Sequence, residues 1–162
     1  MSTETKTQGE KLAEEIQKTV FSVLQAIRTM DEKKVHEKQH PTSWAKIEIL
    51  GHLTDSAINN HQRIIRAIIE PHTESNGYNQ NAWVEAQRYI NRDWAMVFSV
   101  WMNLNYLLLA AVREVPDAAL NHTISIDGKE PITLKFLVKD YNDHLKHHLN
   151  QIIPNASFSH LI

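Results

Sequence analysis

The chain has 162 residues, enough for one domain that removes roughly two thirds of its unfolded surface from water, and it can hold a core without staples. It contains no cysteine, which excludes disulfides, thiolate metal sites and cysteine nucleophiles and suits a reducing compartment. The formal net charge is −2 with acids and bases interspersed, so there is no electrostatic footprint for nucleic acid.

The polar opening, Met1 to Glu10, lacks the apolar run of a secretory signal. No stretch approaches the roughly eighteen uninterrupted apolar residues of a membrane span, Tyr106 to Val112 coming nearest. A cytoplasmic protein without a membrane partner is expected. Only 4 glycines and 5 prolines occur, and the prolines fall between long periodic segments, the punctuation of a helical domain.

A first helix is predicted from about Gln8 to Lys34, its apolar stripe running Ala13, Ile16, Val20, Val23, Ile27 and Met30. A second runs from about Ser43 to Glu70 and is closed by Pro71. After the turn-rich Thr73 to Gly77, a third spans Gln80 to Glu114, with Trp83, Ala86, Ile90, Trp94, Val97, Trp101, Leu104, Leu108 and Ala111 inward. Trp83, Trp94 and Trp101 at this spacing read as core. Beside them Met96, Val100 and Leu107 form a second apolar stripe, which suggests a homodimer. Pro116 ends the third helix; Thr123 to Gly128 reads as a short hairpin or extended loop, because Asp-Gly favours turns that need positive φ. Thr133 can cap a fourth helix that Pro154 stops. The fold class is therefore all-α, a four-helix bundle in one domain, 1–154, followed by a tail, 155–162.

The chemistry begins on the fourth helix. Leu137, Tyr141, His144, His148 and Ile152 share one stripe, so His144 and His148 stand one turn apart, roughly 5–6 Å between Cβ atoms, and can converge on one ion. Imidazoles buried without partners would cost about 1–3 kcal/mol for each orphaned nitrogen. A cation satisfies them, and so do two blander arrangements: a surface cluster, or core histidines bonded to Tyr or Asn.

The second helix has an apolar stripe, Ile47, Leu50, Leu53, Ala57, Ile64 and Ile68, beside one that turns polar midway: Ala45, Ile49, His52, Ser56, Asn59, Arg63. An inward edge that changes in this way faces water or a polar cavity. His52 across the bundle would complete a three-histidine site with open positions for water or substrate. Asp55 could orient a histidine, bind the metal or act as base, and Arg63 could hold a substrate carboxylate beside Asn59; a surface salt bridge and a solvated helix-end charge are their ordinary readings. Tyr141 could donate a proton or simply pack with its hydroxyl bonded.

Trp44-Ala-Lys-Ile-Glu48-Ile-Leu-Gly-His52-Leu-Thr-Asp55-Ser56, followed by Asn59-Asn60-His61-Gln62-Arg63, resembles the second-helix signature of the DinB-like superfamily of metal-dependent hydrolases. His144-Leu-Lys-His147-His148-Leu-Asn-Gln151-Ile152 resembles its closing motif, about ninety residues further on and in the right order. The resemblance spans nearly the whole domain. It implies a bundle of four main helices with a divalent metal, zinc or nickel, near one end, and it carries the ligand role onto His52, His144 and His148. His147 matches a position that is often histidine but faces another way. Relatives include transferases and isomerases that use low-molecular-weight thiols such as bacillithiol or mycothiol, and the family name, which records induction by DNA damage, says nothing of DNA chemistry.

Glu37-x-x-His40 has no second copy and precedes Pro41, which argues against a di-iron bundle. The reading is a metalloenzyme acting on a small-molecule substrate, its open metal position activating water or a low-molecular-weight thiol for hydrolysis or S-transfer, with Asp55 and Tyr141 as candidate catalytic groups and Asn59 and Arg63 as candidate substrate contacts. The competing reading is a metal- or ligand-binding stress-response protein without turnover.

Overall fold

Thr7 starts the first long helix, α1 (Gln8–Arg28): its hydroxyl accepts from the Glu10 N–H at 3.1 Å, and the Glu10 carboxylate accepts from the Thr7 N–H at 2.8 Å. The structure is a computed structural model that describes residues 5–154 and 156. The expected tail lies, apart from Ala156, outside the described residues. The first helix stops earlier than its periodicity suggests. The Thr29 hydroxyl bonds back to the Gln25 carbonyl, and Asp31 caps a separate short helix, α2 (Glu32–His36), so two local side-chain bonds outcompete one more turn.

The second long helix is α3 (Lys46–Ile69), entered where the Glu48 carboxylate accepts from the Ala45 N–H at 2.9 Å. The expected third helix is two. After α4 (Gln80–Gln87), Arg88 adopts φ 50°, a single 3-10 turn follows at Tyr89–Asn91, and Asp93 then caps α5 (Trp94–Arg113) by accepting from the Met96 N–H at 2.8 Å. The break shifts the register of the inward face: Val84 and Tyr89 are buried, while Ala86 is exposed. Thr133 accepts from the Phe136 N–H and caps α6 (Leu134–Ile152).

Between α5 and α6 lie a 3-10 turn at Asp117–Asn121 and two antiparallel strands, β2 (Thr123–Ile126) and β3 (Ile132–Thr133). Asp127 and Gly128 turn the chain with φ values of 54° and 67°, the positive angles that an Asp-Gly pair tolerates. A strand absent from the sequence reading, β1 (His72–Ser75), pairs in parallel with β2 and gives the sheet order β1-β2-β3.

The four main helices do not follow one another round the bundle. Both α1 and α3 pack against both α5 and α6, so α1 and α3 sit diagonally opposite and α3 runs alongside α6. Trp101, Ile16, Leu50, Leu53, Leu108 and Leu134 are fully buried at the centre. Helix α5 is long and apolar enough to cross a membrane by length and composition, yet its Trp94, Val97, Trp101 and Leu108 are core residues of this bundle. Its other stripe, Met96, Val100 and Leu107, stays exposed, and Phe21 and Tyr106 meet edge to face beside it at 5.8 Å.

Gly51 lets the α4–α5 break close on α3, because a Cβ there would overlap the Tyr89 ring. Alanine gains about 1 kcal/mol of helix propensity, whereas overpacking costs about 1–3 kcal/mol and the displaced ring also loses its hydroxyl bond. Gly51→Ala is therefore expected to lower unfolding stability by about 2 kcal/mol. A urea midpoint equal to or above that of the parent protein would show that the ring is not held there.

Candidate metal centre

Helix α3 presents His52 from its second turn and α6 presents His144 and His148 from its last three turns, and the pairing of α3 with α6 brings the three rings together. One nitrogen from each lies within 4.8 Å of the others. The Nε2 atoms of His52 and His144 are 3.0 Å apart. Ligands at about 2.0–2.1 Å from a zinc-like ion sit roughly 3.0–3.4 Å from one another. That pair already has the spacing, and the third ring needs only a rotamer-scale shift.

The outer nitrogens show which way the lone pairs point. His148 Nδ1 lies 2.9 Å from Gln151 Oε1, an oxygen that can only accept, so the proton sits on Nδ1 and Nε2 is bare. The nitrogen of the same amide lies 3.3 Å from His147 Nε2. His144 Nδ1 faces the Ser56 hydroxyl at 3.4 Å, leaving its Nε2 towards His52. His52 is fully buried, with its Nδ1 unpartnered and the Trp44 ring 5.2 Å away. Three imidazoles converging in a partly buried seam are a donor set that suits a divalent ion, and among the described residues no carboxylate belongs to it.

Burial, followed by the two neighbouring imidazoles, lowers the His52 pKa to about 3. Burial, then His148 and His147, lowers His144 to about 4, and burial lowers His148. All three rings are thus neutral and free to ligate at neutral pH.

The remaining candidate residues divide. Asp55 is buried one turn beyond His52; its Oδ1 accepts from the Tyr89 hydroxyl at 2.7 Å and from Gln87 at 3.4 Å, its Oδ2 has no partner, and burial raises its pKa. It clamps the α4–α5 break to α3. Tyr141 is buried and gives its proton to Asn105 Oδ1 at 2.7 Å, so its hydroxyl is committed to packing between α6 and α5 and is not offered to the histidines. Asn59 donates to the Asp55 carbonyl. Arg63 reaches over the sheet, Nε to Ser75 Oγ at 3.3 Å and a terminal nitrogen to the Asn76 carbonyl at 2.9 Å. Asn59 and Arg63 line a cavity of about 280 Å³ that none of the three histidines lines.

A larger cavity, about 900 Å³, opens onto His148 and is floored by Trp44 and Ile49. Sequence reasoning missed Gln151 and Tyr89. Gln151, three residues after His148 on one helix face, was findable from spacing; Tyr89 was hidden by the assumption of an unbroken third helix.

The depressed histidine values set the sign of a pH effect. Below about pH 6.5 an unfolded chain protonates these rings, while the folded chain keeps His144 neutral to about 4 and His52 to about 3. Stability from these groups is therefore full above pH 6.5 and is lost progressively as the pH falls through 4 towards 3. Urea midpoints of chelator-treated protein should drop between about pH 7 and about pH 5, and the drop should be shallower in His52→Leu. Identical slopes in the two proteins would contradict neutral burial of His52.

The family model for the DinB superfamily matches residues 16–152. The chain is 23% identical over 148 residues to "Putative metal-dependent hydrolase YfiT" of Bacillus subtilis (strain 168), covering 91% of this chain and 83% of that protein. The solved structure of YfiT, described as an unusual four-helix bundle topology, superposes with a TM-score of 0.79 at 21% identity, covering 94% of this chain and 89% of that one. A mycothiol-dependent maleylpyruvate isomerase superposes with a TM-score of 0.69 at 11% identity; the overlap covers 88% of this chain and 60% of the isomerase. At these identities the superpositions speak for the fold, and with the match of the family model across most of the chain they place this protein in the DinB superfamily.

Proposed function

We propose that His52, His144 and His148 hold a divalent metal, zinc or nickel, and that the chain is a metal-dependent enzyme acting on a small molecule by hydrolysis or thiol transfer. The observation that carries this reading is the convergence of three neutral imidazoles, two of them with Nε2 atoms 3.0 Å apart, with Gln151 holding the proton on the far side of the third. A divalent ion on such a donor set keeps its full double charge, so it favours an anionic incoming ligand and lowers the pKa of a water or thiol. The names of YfiT and of the mycothiol-dependent isomerase are compatible with either co-reactant.

The protein's own residues shape what reaches that centre. His52 is fully buried against the Trp44 ring and is the most enclosed of the three ligands. His148 faces the large cavity, so substrate approaches from the α6 side. Ser56 and Gln151 meet the Nδ1 atoms of His144 and His148 and orient the two rings. Asp55 and Tyr141 serve as supports for the helices that carry the ligands, each through a short hydrogen bond to another element.

Untagged protein reloaded with zinc or nickel is expected to retain about one ion per chain after desalting, the ligand count of a single three-histidine site, and His148→Ala is expected to lose it. Gln151→Leu, at an exposed position, is expected to fold normally and to weaken metal affinity about tenfold, the usual effect of removing a partner behind a ligating histidine. Protein that folds but cannot be loaded by any divalent metal would reduce the three histidines to packing.

A further inference from the structure

The cavity that opens onto His148 is cationic on a chain whose formal net charge is −2. Its wall carries Lys34 from the last turn of α2, Lys38 from the following loop and Lys46 from the first turn of α3, against a single carboxylate, Glu37. Lys38 is held by Glu48 at 3.1 Å. Lys34 and Lys46 have no ion pair among the described residues. Lys46 is also badly placed for helix stability, since the first turn of a helix repels a cation. Lysines from α2, from the loop after it and from α3 thus line one concave surface.

The floor is different in kind. Trp44 is half-buried and, with Ile49, gives an apolar surface to the cavity that the lysines and His148 also line. A ligand matching this cavity has an apolar segment to lie on the indole and an anionic end to meet the lysines, so that its other end points at the histidines. Ammonium groups on flexible stems act as point charges, and with an apolar surface beside them they suit a small carboxylate carried on a carbon chain; no arginine lines this wall.

We propose that this cavity is a recognition subsite for a carboxylate-bearing small molecule, with Lys34 and Lys46 binding its carboxylates and Trp44 its carbon chain. The assignment rests on the metal reading only for the direction in which the ligand's reactive end points. Its specificity is separate, because the lysines and Trp44 belong to neither the metal ligands nor their hydrogen-bond partners.

The test is a titration of metal-free and of cobalt-loaded protein with glutarate, with its neutral isostere glutaramide and with inorganic phosphate. The readout is the NMR shift of the Trp44 indole N–H, assigned with Trp44→Phe. Glutarate is expected to move that resonance with a Kd about tenfold below that of glutaramide, and both Lys34→Gln/Lys46→Gln and about 0.5 M salt are expected to weaken it about fivefold or more. Thermal midpoints close to the parent value would show that the double variant is folded. Equal binding of glutaramide or phosphate, an unaffected double variant, or no Trp44 shift with glutarate would each overturn the assignment. Protein that refuses cobalt yet binds glutarate in this way would remove the metal reading and leave the subsite standing; protein that takes cobalt and ignores glutarate would do the reverse.

Discussion

A polar nitrogen inside a helical bundle must find a partner, and the seam between α3 and α6 concentrates three imidazoles where the rest of the interface packs leucine and isoleucine. Leaving such nitrogens unsatisfied costs about 1–3 kcal/mol each, an appreciable fraction of the stability of a domain this size. The protein meets the demand on one side with its own groups: Gln151 for His148 and Ser56 for His144. Those bonds turn the opposite nitrogens towards one another, and burial keeps the rings neutral. Convergence and charge state both follow from placing histidines at the inner edge of two adjacent helices.

That adjacency depends on the order of the bundle. If α1, α3, α5 and α6 packed in sequence order round a simple up-and-down ring, α3 would neighbour α1 and α5, with α6 diagonally opposite, and His52 would face the wrong helix. Here α1 and α3 are the diagonal pair, reached through the α2 excursion, and the small sheet carries the chain across between α5 and α6. The back of α3 is fastened independently. Gly51 admits the Tyr89 ring, whose hydroxyl bonds to the buried Asp55, so the helix that carries His52 is braced by the α4–α5 break.

The electrostatic design is asymmetric. The donor set is neutral, so a divalent ion held there would meet no carboxylate among the described residues, while the wall of the adjoining cavity carries Lys34, Lys38 and Lys46. Both features favour negative charge entering from the same side. His52 is itself fully buried, against the Trp44 ring.

Periodicity of apolar residues determined, from the chain alone, that four long helices would bury one core, because a stripe at helical spacing has no other stable use in a small domain. The same pattern placed His144 and His148 on one face, and the Thr133 and Asp-Gly signals acted where they stood, since caps and tight turns are local bonds. Local spacing did not reveal the break at Arg88, where the apolar repeat runs on through a residue of left-handed conformation and only the packing of Tyr89 against Gly51 explains the interruption. Nor did it reveal β1, whose Thr, Glu and Ser become a strand by pairing with β2 some fifty residues away. The diagonal order of the helices, the 3.0 Å approach of His52 to His144 and the gathering of Lys34, Lys38 and Lys46 round one cavity belong to the tertiary structure. Each depends on which surfaces meet, and a single chain of residues records its faces without recording their partners.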